Sequence, residues 1–342
     1  MNEIRNSNKV KKRIGWVDMA KGVAILSVII GHTLCMESLV ENMWRGVIFS
    51  FHMPLFFILS AFTFQFSINT EQFGRNTVRA FKHLIIPTLC LFAIQTVLDL
   101  LKETGVSDWQ FWKDKAMKLL FASGVDVHIA DYTVPAMGML WFLAVLFSAR
   151  SLYDWLQLNI KSCKFYIILS VFTCLGVICG QYLQLPFSFD IALAVLPFFG
   201  CGQMWKNRQK TISSISTWLL LLVWVSTLVL MFAVNGNYLE LACRTYPLFP
   251  LSHLTAVVGV FIVGKACQCI VEKRENLCKP LMFLGKNSFL LLGVHYLDKN
   301  YEMIWRVCEN NYCNLTVRIC IDVMLMIVGM KIYKYVLTFK NR

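Results

Sequence analysis

Charge is scarce in this chain: Asp, Glu, Lys and Arg make up only 15% of its 342 residues, against 57% apolar residues and a mean hydropathy of +0.58. Values of that kind exclude a soluble globular chain, so the sequence reads as an integral membrane protein. No stretch between apolar runs is long enough to make a separate globular domain. The longest runs from about 102 to 134, and one membrane domain over 1–342 is expected. Internal repeats and low-complexity tracts are lacking. No small-residue cleavage site follows the basic KVKKR segment, which predicts an uncleaved first span. Zinc-ligand spacing is missing among the 13 cysteines. Cys90, Cys174, Cys179 and Cys201 fall in apolar runs as small packing residues, and only Cys308 and Cys313 are placed to form a disulfide. No metal is expected. Acidic residues are also few, 20 against 33 basic ones, for a net charge of +13.

Ten apolar segments are present, at roughly 16–36, 46–66, 84–101, 135–153, 164–183, 187–205, 216–234, 249–269, 281–298 and 315–337, the sixth and ninth being the weakest. They predict an all-α integral membrane protein with about ten transmembrane helices in one bundle. With the N-terminus in the cytoplasm, 24 of the 33 basic residues fall on the inner side. That asymmetry follows the positive-inside rule and predicts both termini in the cytoplasm. The net charge therefore reports topology in a multi-pass cell membrane protein, not nucleic-acid binding.

Within the first segment, Asp18, Lys21 and His32 lie on one stripe of a helix, because Lys21 and His32 are about three turns apart and Asp18 is one turn before Lys21. Ionisable groups are costly in lipid, so such a stripe suggests function. The simpler alternative is that Asp18 and Lys21 mark a helix end as an ionic pair and His32 only packs. In the second segment, SFHMPLFFILSAF, Pro54 should loosen the helix one turn earlier, at Ser50, beside His52. Arg75, Arg79 and Lys82, at spacings of three and four before a further apolar run, make a face suited to phosphate groups. The loop from 102 to 134 has the pattern of an amphipathic surface helix around Trp109 and Trp112. Trp141 opens LWFLAVLF. Gly285 to His295, GKNSFLLLGVH, reads as a helix start with Asn287 or Ser288 as cap. His253 adds another histidine within the spans, and no acidic partners are expected at the depth of these histidines.

These stretches resemble the membrane-bound acyltransferase-3 family, whose members transfer acyl groups, commonly acetyl, from coenzyme A thioesters to sugars of surface polysaccharides. The most specific match is an acidic residue, a basic residue three later and a histidine eleven after that, here Asp18, Lys21 and His32. FHMPLFFILSAF, LWFLAVLF and GKNSFLLLGVH follow in the family's order. The chain departs from the pattern in having Lys21 where many members have Arg, Arg79-Ala80-Phe81-Lys82 where they have two arginines, and Ala61 for the usual Gly. The resemblance implies an O-acetyltransferase using acyl-CoA, most simply acetyl-CoA, as co-substrate and a sugar hydroxyl of a polysaccharide or lipid-linked glycan as acceptor. It implies a general base at His32, with Asp18 in the catalytic set. Lys21, Arg75, Arg79 and Lys82 would bind the donor, and His52, Trp141 and His295 the substrate. A transporter or flippase, and a non-catalytic sensor or scaffold, are the other classes open to a ten-span chain with buried polar groups.

Overall fold

The computed structural model describes residues 13–33, 39–102 and 108–340. Arg5, Lys9, Lys11, Lys12 and Arg342, counted above among the inner basic residues, lie outside the described residues. The chain runs through α1 (Gly15–Thr33), α2 (Leu39–Phe49), α3 (His52–Thr63), α4 (Thr70–Ala80), α5 (Ile86–Lys102) and α6 (Trp109–Phe121). A short hairpin of β1 (Val127–Ile129) and β2 (Tyr132–Val134) leads into α7 (Trp141–Asn159), α8 (Cys163–Tyr182), α9 (Phe189–Ala194), α10 (Leu196–Asn207), α11 (Gln209–Ser214) and α12 (Thr217–Asn235). The chain closes with α13 (Leu251–Lys286), α14 (Ser288–Leu297), α15 (Glu302–Trp305) and α16 (Asn311–Lys340).

The protein is a membrane protein of the all-α class, the short hairpin being its one piece of sheet among the described residues. Among the described residues, seven helices are long and apolar enough to cross a bilayer, or eight if the α9–α10 pair, bent by 50°, is one broken span. The weak sixth and ninth segments of the sequence are both broken. The sixth is that bent pair, and the ninth is divided between the end of α13 and α14, a helix of 10 residues.

Proline chemistry explains the other interruptions. Pro54 has no N–H for the carbonyl of Ser50, and the chain breaks at Ser50–Phe51 between α2 and α3. Pro87 likewise leaves the His83 carbonyl without its helical donor, and a π-helical turn, Phe81–Ile85, joins α4 to α5 there. Asn287 caps no helix with its side chain: its Nδ2 donates to the Phe283 carbonyl at 2.8 Å instead. Cys308 and Cys313 are both free thiols.

α1 is the central post. Its apolar stretch is 61% buried and that of 41–63 67%, whereas those of 70–102 and α12 are only 17% and 22% buried and turn their leucines and valines outward. Without lipid those outer faces would be bare, which fits helices bordering hydrocarbon. α1 packs along the second half of α13 so closely that a Cβ on Gly285 would stand 1.7 Å from the Asp18 carbonyl oxygen. A Cβ on Gly22 would stand 2.1 Å from that of Leu281. α3, α14 and α16 close around the rest of α1. α6 lies along the edge with Trp109 and Trp112 exposed and Phe111 and Phe121 tucked in.

Candidate active site

Two cavities penetrate the bundle and meet at one set of side chains. The first, of about 330 Å³, begins at Lys21 and Arg150 and is otherwise mostly apolar, lined by Ile25, Val28, Met53, Phe56, Leu146 and Leu292 among others. Helical periodicity makes this wall. Lys21, Ile25, Val28 and His32 on α1, Met53, Phe56, Ser60 and Thr63 on α3, and Met139, Leu143, Leu146 and Arg150 at and along α7 are three stripes of spacing three and four. The second cavity, of about 490 Å³, opens at the other end of α1 and is lined by Arg45, His52, Glu240, His295, Asp298, Lys299 and Arg318, with Phe49, Trp141 and Tyr296 as aromatic walls. His32, Met53, Met139 and Trp141 line both. His32 thus stands where the two spaces join. Its ring is open to the cavity and bonds to no group among the described residues.

The second cavity holds ordered ionic chemistry. Arg45 pairs with Glu240 at 3.0 Å and lies over the Phe49 ring at 4.5 Å. The Arg318 guanidinium grips Asp298 with two bonds, Nε to Oδ2 at 2.5 Å and Nη2 to Oδ1 at 2.8 Å. Through Nη1 it donates to the His32 carbonyl and the Thr33 hydroxyl, at 3.2 and 3.1 Å. His295 Nδ1 lies 2.8 Å from Asp298 Oδ2 and 3.0 Å from Asp322 Oδ2. The acidic partners expected to be missing are therefore there: they come from the turn after α14 and from the last helix. His295, Asp298 and Asp322 place ligand-type atoms within 4.8 Å of one another, a grouping that could hold a cation. The separations are those of direct hydrogen bonds, and Arg318 already supplies a positive charge. The Cys243 thiol, also in this lining, is pushed up to about 12 by burial and the Glu240 carboxylate, so at neutral pH it is no thiolate nucleophile.

The structure brings Lys21, His32, His52, Trp141 and His295 to these joined cavities. It does not bring Asp18 there. Asp18 is buried between α1 and the end of α13; its ion pair is with Arg13 at 3.9 Å rather than with Lys21, and its Oδ2 accepts no hydrogen bond among the described residues. Arg75, Arg79 and Lys82 share an exposed groove with Glu71 and His83, and Arg75 is paired with Glu71. The π turn separates that groove from the first cavity: Lys82 and His83 face the groove while Leu84 lines the cavity. His52 Nδ1 donates to the Ile48 carbonyl at 3.0 Å, and His253 bonds the Ala194 carbonyl at 3.1 Å and stacks on Phe198, away from the site.

A sequence model of the acyltransferase-3 family, described as an acyltransferase domain, matches residues 14–307. The chain belongs to this family. It is a membrane acyltransferase, and the transporter and scaffold alternatives yield to that membership. No individually curated protein matches it. The sequence reading of this acyltransferase missed Arg150, Asp298, Arg318 and Asp322. Arg318 and Asp322 are four residues apart inside an apolar segment, the same signal of ionisable groups at helical spacing that marks α1.

Proposed function

We propose that this acyltransferase moves an acyl group, acetyl in the simplest case, from acyl-CoA on the cytoplasmic side to a sugar hydroxyl of a surface polysaccharide or lipid-linked glycan. The observation that carries the reading is the meeting of two cavities at His32. The first is narrow and apolar beyond two cations, which suits a thin pantetheine arm with its phosphates held by Lys21 and Arg150. The groove of Arg75, Arg79 and Lys82 suits the more remote phosphate of the same donor. The second cavity, aromatic and rich in hydrogen-bonding groups, suits a sugar.

Bringing the thioester and the hydroxyl to one point removes much of the entropic barrier to their reaction. His32 takes the hydroxyl proton as the oxygen attacks the carbonyl; the carbon–sulfur bond then breaks and the sulfur leaves with a proton, giving ester and free coenzyme A. The N-terminal end of α1 is assigned to the cytoplasm, in a plasma or bacterial inner membrane. The test uses purified protein with radiolabelled acetyl-CoA and an envelope glycan fraction from cells lacking the gene. Release of coenzyme A together with label in the glycan is expected, and label that never leaves the donor would reject the reading.

A further inference from the structure

The last helix, α16, lies beyond the family match, which ends at residue 307, yet it supplies two of the charged groups nearest the candidate base. Arg318 has a plain structural task, since its guanidinium ties Asp298 to the C-terminal end of α1 through four hydrogen bonds. Asp322 has none of that kind. It is wholly buried, and among the described residues its polar partners are His295 Nδ1 at 3.0 Å and the Tyr301 hydroxyl at 3.3 Å. A carboxylate without exposure and without a guanidinium or ammonium of its own is costly to keep.

What it does is fix an imidazole. With Nδ1–H donating to Asp322, and Asp298 Oδ2 also at 2.8 Å, the ring of His295 is held in one orientation, and in its neutral form the free lone pair is on Nε2. That Nε2 is buried and has no hydrogen-bond partner among the described residues. The His295 ring centroid stands 6.0 Å from that of His32, and both rings line the second cavity. This is wider than two rings joined by a direct N–H···N bond and close enough for one hydroxyl or water oxygen to bridge them.

We propose that Asp322 is a positioning residue that holds His295 as the proton acceptor behind His32. The inference rests on the acyl-transfer reading above. When the acceptor hydroxyl attacks, its proton goes to one nitrogen of His32, and the proton on the other nitrogen passes through the bridging oxygen to His295 Nε2. The imidazolium so formed is stabilised by Asp322, as in other carboxylate-backed imidazoles. When the carbon–sulfur bond breaks, the proton returns through His32 to the departing sulfur, so the products are ester and thiol and no proton is gained or lost.

The experiment compares wild type, Asp322→Asn, His295→Gln and the double variant, each purified whole and checked by thermal melting, with acetyl-CoA and the envelope glycan fraction as probes. Asp322→Asn should lower kcat by roughly 10²–10⁴-fold, with KM for acetyl-CoA within about twofold because His295 lines only the second cavity. His295→Gln should fall as far, and the double variant no further, since the two act as one unit. Asp322→Glu should recover part of the loss. A folded Asp322→Asn protein with kcat within about threefold of wild type, or a double variant whose loss is the product of the single losses, overturns the proposal. So does failure of both single variants to fold, which would make the cluster a structural clamp. Wild-type protein that releases no coenzyme A at all would instead defeat the acyl-transfer reading.

Discussion

At the scale of single residues, the site divides into groups that touch the joined cavities and groups that hold them. The His32 ring is open to both spaces and makes no hydrogen bond among the described residues, so its replacement should leave the packing nearly intact and remove a titratable nitrogen from the junction of the two cavities. His32→Asn is expected to lower acyl transfer by at least about 10²-fold while the melting temperature changes little. Turnover and melting measured on one sample decide this, because a histidine that only packs would show the opposite pattern. Arg150 behaves differently. It is half-buried at the far end of the first cavity, over the Phe64 ring at 5.0 Å, and a remote phosphate contact acts alike in ground and transition states. Arg150→Ala should raise KM for acetyl-CoA about tenfold with kcat nearly unchanged, the size of one charge-assisted hydrogen bond. The exposed pair Arg79 and Lys82 should matter less, and should lose its effect as salt is raised. A salt titration of the KM change in Arg79→Ala/Lys82→Ala, set beside Arg150→Ala, separates the two. Equal effects at all salt concentrations would merge groove and cavity into one donor site.

At the scale of elements, the site depends on how closely α1 can lie against α13. The contact is backbone to backbone at Gly22 and Gly285, where no side chain fits. Widening it would shift Lys21 and His32 away from the stripes on α3 and α7 that complete the cavity. Gly285→Ala should therefore destabilise the protein by about 1–3 kcal/mol, as overpacking does elsewhere. Thermal melting in detergent measures this. An unchanged melting temperature would mean that the two helices can part without cost. The broken elements serve the site in a related way. The interruption at Ser50–Phe51 lets His52 begin a new helix at the rim of the second cavity, and the π turn at Phe81–Ile85 points Leu84 inward while Lys82 stays out.

At the scale of the whole molecule, a cysteine placed at Asp114 should be labelled from outside intact cells and one placed at Lys161 should not, because the basic residues otherwise face the wrong way. The reverse pattern would invert the bundle and move the donor to the other side. The helical membrane class was legible in the sequence itself, since long runs without charge satisfy their backbone in lipid as helices, whereas barrel strands would alternate apolar and polar residues. So was the stripe of Lys21 and His32, because helical periodicity is local and ionisable groups stand out against hydrocarbon. The break at Ser50 followed from the missing N–H of Pro54, which is likewise local. What the sequence could not show is which stripes face one another. Asp18 shares the stripe of Lys21 and His32, yet it is pressed against α13 while Lys21 faces the cavity, and nothing within α1 distinguishes them. Arg150, Asp298, Arg318 and Asp322 lie up to some 300 positions from His32 or its partners in the chain and reach the site only through packing. Their roles were decided by the tertiary structure, because an ion pair or a shared cavity is set by distances between helices, and those depend on glycine contacts and bends rather than on the spacing within any one helix.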